Sequence, residues 1–170
     1  MPAKKYLSHA SGRIQEVAAT VTSTGAGDDG KIVALDATGR LDASIMPVGL
    51  GADTASIVAS ENLAAGDYVN IWDSTGAKVR KADAATAGKE AVGFVLAAVT
   101  SGQSATVYFE GQNTQKTGLT PGSRQYLSAA TPGATAATAP SATGNVVQLL
   151  GVAVSSTSIS TEIEDGIVLA

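Results

Sequence analysis

The feature that most constrains this chain is a repeat filling its second half. Residues 63–111 and 119–166 align by position more than by identity. Leu63 and Gly66 fall on Leu119 and Gly122, Gly76 on Gly133, Ala82 on Ala139 and Gly93 on Gly151. A duplicated unit changes the meaning of each motif inside it, because a recurring position is explained first by the fold of the unit. In each copy an L-x-x-G leads into a strand carrying a tyrosine, followed by a hairpin, a loop and an apolar strand with a central glycine. Gly93 and Gly151 weaken those strands unless a bulge, a bend or a close backbone neighbour requires them. Two such units read as β modules sharing one core, a scaffold rather than a catalyst.

At 170 residues the chain has room for one domain, or one domain plus an arm, with a sizeable core. It has no cysteine, which removes disulfides and thiolate metal sites and leaves stability to packing or assembly. Aromatics are 4% of residues and charges 15%, so the layers are thin and backbones approach closely. A net charge of −4, with basic residues grouped only at Lys4-Lys5 and Lys78 to Lys81, argues against nucleic acid as a partner. The longest apolar runs, such as Ala91 to Val99, reach about half of the ~20 residues a membrane helix needs. No apolar signal-peptide core follows the first lysines. The expectation is a soluble chain without a secretory address.

Residues 1–54 read as an N-terminal arm. Ile14, Val17, Ala18 and Val21 sit at 3-4-3 spacing, which predicts a short amphipathic helix. Gly25 to Gly30 breaks it, and Lys31 to Asp42 reads as a strand, a glycine turn and a second extended piece. Met46-Pro47 with Gly49 and Gly51 closes the arm. Residues 55–170 read as an all-β domain, a small β-barrel or β-sandwich built from the two modules. The expected strands are 55–60, 68–73, 77–82, 91–99, 105–110, 125–128, 134–138, 146–154, 158–163 and 167–169, with a tight turn at Asp73 to Gly76. Thr131 to Thr143 is a loop or a weak, flat strand.

Chemical motifs weigh little against this scaffold. Gly25 to Gly30 spells GxGxxG, but a strand rather than a helix follows, and two aspartates stand where phosphates would bind. His9 is the single histidine and lies in the polar arm, a poor setting for a general base. Asp28-Asp29 and Glu162, Glu164 and Asp165 fall in turns or at a strand end, where solvation keeps carboxylates ordinary. Lys78 and Arg80, with Lys81 opposite, suit a basic edge strand that guards against pairing. No residue is assigned to catalysis, to a cofactor or to a metal.

The stretch Gly30 to Pro47, KIVALDATGRLDASIMP after its glycine, resembles a segment of structural proteins from tailed bacteriophages. Gly118-Leu119-Thr120-Pro121-Gly122, Tyr126-Leu127-Ser128, Pro132-Gly133, Ala139-Pro140 and Gln148 to Gly151 are similar to small β domains of phage capsid decoration proteins, head fibres and tail fibres. The resemblance implies a virion protein that decorates or cements the capsid exterior as a homotrimer, held by its arm. Its partners are then the major capsid protein and other copies of itself, with no nucleic acid and no membrane. Ile14, Val17, Val21, Ile32, Val33, Leu35, Leu41, Ile45 and Met46 are the candidate capsid or subunit contacts. The alternative is a tail fibre or baseplate module that binds a host glycan through exposed Trp72 and Tyr126, against the favoured reading that one or two aromatics per module serve a small β core or a subunit interface.

Overall fold

Ser11 and Gly12 have φ of 51° and 75°, and two successive positive values make the tight turn whose twist suits a hairpin. The computed structural model, which describes residues 4–46 and 52–170, accordingly pairs β1 (Lys5–Ala10) with β2 (Arg13–Ala18) antiparallel. This corrects the helix expected at Ile14, Val17, Ala18 and Val21. Side chains alternate along a strand, so His9 and Ile14 share one face with Leu7 and Glu16, while Tyr6 and Val17 take the other. Lys5 and Glu16 form an ion pair on the first face.

Beyond the hairpin, unit Met1–Gly51 is ordered by short polar turns. The Lys31–Ala34 stretch runs beside Thr20, whose amide donates to Ile32 O at 2.9 Å and whose carbonyl accepts from Ala34 N at 2.8 Å. It makes a single parallel bridge, Thr20 to Val33, instead of the expected full strand. Asp28, Asp36 and Asp42 each accept two or three nearby hydrogen bonds. The closing stretch Pro47 to Gly51 lies outside the described residues.

Unit Ala52–Ala170 is all-β. The strands β3 (Thr54–Ala59), β4 (Tyr68–Asp73), β5 (Ala77–Lys81), β6 (Gly93–Phe94) and β7 (Ser104–Tyr108) form a closed barrel in the order β3-β5-β4-β6-β7. Parallel pairing of β3 with β5 and antiparallel pairing of β3 with β7 complete the ring. Val69, Val79, Val95, Ala105, Val107, Ala59 and Leu63 form its buried core cluster. The expected long strand 91–99 leaves the ladder after Phe94, and Val95 instead exchanges hydrogen bonds with Gly66 and Asp67. The basic strand β5 lies between β3 and β4, so it guards no edge.

The second module comprises β8 (Gly111–Asn113), β9 (Arg124–Leu127), β10 (Thr135–Ala136), β12 (Leu149–Ala153) and β13 (Ile159–Thr161). Beside them β11 (Val146–Val147) pairs with β14 (Ile167–Val168). The sheet order is β10-β9-β12-β13-β8, which matches the first module read from β5: β5-β4-β6-β7-β3. The details recur too. Gly66 N donates to Val95 O at 2.8 Å and Gly122 N to Ala153 O at 2.7 Å; Gly93 pairs with Val69, and Gly151 with Gln125. A Cβ on Gly93 would meet Tyr108 O at 2.6 Å, and one on Gly151 would collide with the carbonyl of Ser160. Both glycines thus permit a close strand neighbour.

One difference separates the modules: β8 and β10, the counterparts of β3 and β5, do not pair. Module one fills part of that opening. Asn113 Nδ2 donates to Gly66 O at 3.0 Å, Tyr68 N to Gly133 O at 2.9 Å and Gly133 N to Ala82 O at 2.7 Å. Tyr68 and Phe94 pack there with Leu127, Val146, Leu150 and Ile159 in a second core. The approach is tight: a Cβ on Gly66 would lie 2.5 Å from Gln115 O, and one on Gly133 2.8 Å from the Asp67 carboxylate.

Candidate functional site

The arm has local order without an apolar core. Among its described residues only Ala34 is buried, because pinned turns rather than packing set its course. The Lys31 ammonium first, then the Thr24 amide and hydroxyl, pull the Asp28 carboxyl down to about 2. Asp36 is lowered mainly by the Arg40 amide and Asp42 mainly by the Ser44 hydroxyl. This also accounts for the GxGxxG letters: Ala26–Asp28 is a 3₁₀ turn, and the Asp28 carboxylate fills the turn as its acceptor.

Apolar side chains therefore face outward. Leu7 and Ile14 are each 73% exposed and share a face of the hairpin. Val21, Ile32, Val33, Leu35, Leu41 and Met46 are also exposed, whereas Val17 and Ile45 are half-buried. Leu7 carries a signal like that of Ile14, but a helical reading gives it no partner. Covering Leu7 and Ile14 alone is worth roughly 2–4 kcal/mol. That gain goes to whatever surface covers them.

The aromatic pair behaves differently from the expectation of exposure. Trp72 is half-buried; its Nε1 donates to Ser60 Oγ at 3.2 Å, and the Arg80 guanidinium lies 4.9 Å from the ring centroid. That cation covers one face of the ring. Arg80 is itself held by Asn70 Oδ1 and Gly88 O, both at 3.0 Å. Tyr126, on β9, is also half-buried.

Elsewhere, His9 is exposed opposite Ile14. Glu162, Glu164 and Asp165 are exposed and line, with Glu90 and Glu110, an open cleft of about 730 Å³. Among the described residues, no cluster of three metal-ligating side chains occurs.

The seam between the modules holds a lysine that sequence reasoning missed. Lys116 stands in the strap after β8, its ammonium 5.0 Å from the centroid of the buried Tyr68 ring. Loss of water pulls it down to about 8, opposed by the charge of Asp67, which itself lies 3.7 Å from Lys81. Burial pushes the Tyr68 hydroxyl up to about 12, against its hydrogen bonds with Thr161 and Asn113. No local sequence signal marks Lys116, since its environment is assembled by both modules.

Comparison with known proteins finds no matching family model, curated protein or solved structure.

Proposed function

We propose that this chain is a structural protein of a bacteriophage virion that decorates or cements the capsid exterior, attaching through its N-terminal arm. The observation that carries the reading is the inverted economy of that arm. Its turns are pinned by its own aspartates, yet Leu7, Ile14 and six further large apolar side chains stay exposed while only Ala34 is buried among the described residues. A conformation set in advance lowers the ordering cost of binding, and exposed apolar side chains supply the gain. The likeness of residues 30–47 to phage structural proteins gives the partner class: a major capsid protein, with neighbouring copies of this chain in a homotrimer. The β domain, with one core inside the barrel and a second shared between the modules, supplies the bulk of the decoration.

The test is cosedimentation of the purified chain with heads of the parent phage assembled without it. The native chain is expected to bind, and the double variant Leu7→Asp, Ile14→Asp to lose binding while keeping its thermal midpoint, because both sites are exposed. Undiminished binding by the double variant, or no binding by the native chain, refutes attachment through this face. Sedimentation equilibrium of the free chain tests the trimer separately.

A further inference from the structure

The second module is open where the first is closed, and its opening is only partly plugged. Residues 66–68 occupy one end, through Asn113 and Gly133. A cleft of about 390 Å³ is lined by the strap 115–120, by Ser123 and Gln125, and by Ala134, Thr135 and Ala137 at β10. Lys116 is the one charged residue among those lining it.

Strand β10 presents a free edge to this cleft. Ser128 N donates to Ala134 O at 3.1 Å, and Thr135 pairs with Leu127 and Ala136 with Tyr126. In an antiparallel ladder the backbone groups alternate in direction, so Gly133 and Thr135 point away from β9. Gly133 spends its groups on Tyr68 and Ala82 of module one. The ladder it begins stops there, with Thr135 and Ala137 next along the edge and both lining the cleft. Lys116 lines the same cleft, and its ammonium has no carboxylate within 4.0 Å among the described residues. It rests against the Tyr68 ring instead.

We propose that this cleft is a binding groove for an extended peptide segment bearing a carboxylate, which adds to the edge of β10 at Thr135 and meets Lys116 with its acid. Edge addition supplies main-chain hydrogen bonds along a preformed template. The lysine selects charge, because a carboxylate completes a charge-assisted hydrogen bond that the chain leaves unmade. The site lies wholly within residues 52–170 and is independent of the arm's role.

The experiment is a titration of the ¹⁵N-labelled full chain, followed by two-dimensional NMR, with an acetylated, amidated Val-Glu-Val-Glu-Val peptide. Its counterpart with lysine for glutamate, and sodium acetate, serve as parallel probes. The acidic peptide is expected to shift the Thr135 and Ala137 amides and to slow exchange of the Thr135 amide. Lys116→Gln is expected to weaken binding by at least about tenfold, whereas Lys116→Arg retains it. Thr135→Pro removes one N–H at an edge position where proline is tolerated, and is expected to weaken binding with the rest of the spectrum intact. Equal binding of the basic peptide, no loss in Lys116→Gln, or shifts confined to another face would overturn the proposal. So would acetate alone reproducing the whole shift pattern, which would make the cleft a small-anion pocket.

Discussion

Alanine at Gly151 is expected to destabilise the chain far more than alanine at its neighbours in kind, and the geometry sets the ranking. Gly151 has φ of +143°, and an added Cβ would sit 3.0 Å from the Ser160 carbonyl carbon and 3.1 Å from Thr161 Cα, closer still to Ser160 O. Those are backbone atoms of β13, so relief requires β12 and β13 to part. Overpacking of this kind costs about 1–3 kcal/mol, and the glycine-only backbone about another 1–3 kcal/mol. The stiffer unfolded chain returns about 0.4–1 kcal/mol, leaving a loss of roughly 2–5 kcal/mol. Gly93 faces Tyr108 O at 2.6 Å and Val107 Cγ1 at 2.7 Å without a positive φ, so Gly93→Ala is expected to cost about 1–2 kcal/mol. Gly122 has φ of +82° in open space, so Gly122→Ala is expected to cost about 1–2 kcal/mol. Urea unfolding of the full chain, read by the single Trp72 and by circular dichroism, measures all three. A Gly151→Ala midpoint equal to that of Gly122→Ala, at unchanged slope, would refute the argument that close strand approach places this glycine.

Two further perturbations test the seam. Lys116 titrates near 8 when folded against an ordinary value of 10.5, so above about pH 8 the unfolded state holds more protons and stability rises with pH. The gain reaches at most about 2.5 kcal/mol by about pH 10, and about half that once water reaches the partly open site. Lys116→Met is expected to flatten this rise in urea midpoints between about pH 7 and about pH 10; an unchanged slope would contradict the buried ammonium. Above that range Tyr68, raised to about 12, works the other way, because the unfolded tyrosine ionises first. The Tyr68 and Thr161 hydroxyls are hydrogen-bonded at 3.0 Å, and Tyr68→Phe orphans Thr161 at a cost of about 1–2 kcal/mol. A cycle with Thr161→Val is expected to recover part of that loss, and strict additivity would deny the bond.

Much of the β domain was legible because its signals are local. The strand at Tyr68–Asp73, its turn and the return strand from Ala77 follow from β-formers around Ser74-Thr75-Gly76, and the structure holds them there. A glycine recurring inside apolar runs pointed to a bulge, a bend or a close backbone neighbour, and the structure supplies the close neighbour at both Gly93 and Gly151, with a register shift beside Gly151. The hairpin β1-β2 was misread because four apolar residues coincide with helical spacing, while the decisive signal is the two-residue turn Ser11-Gly12. Strand β8 went unseen since Gly111-Gln112-Asn113 has no strand propensity; pairing with Ile159 to Thr161 makes it a strand. For the arm, the sequence named the apolar residues but not their exposure, which depends on Asp28, Asp36 and Asp42 replacing a core. Trp72 is half-buried, and its pairing with Lys78 brings Arg80 over the ring, a cross-strand neighbour that spacing along one strand does not show. Lys116 was invisible, its partner ring lying in the other module.

The plug at residues 66–68 gives the chain a direction. The first barrel holds a core of its own and closes when β7 reaches β3, so it is complete once Tyr108 has been made. The second module finds two of its largest buried side chains, Tyr68 and Phe94, already in place on that barrel. Synthesis from the N-terminus therefore delivers the stopper before the vessel, and the later half folds onto a finished template. A chain cut after residue 110 is expected to keep a closed barrel with Tyr68 and Phe94 uncovered. A fragment beginning at 111 lacks the middle of its core, so two halves alike in strand order are unequal in independence.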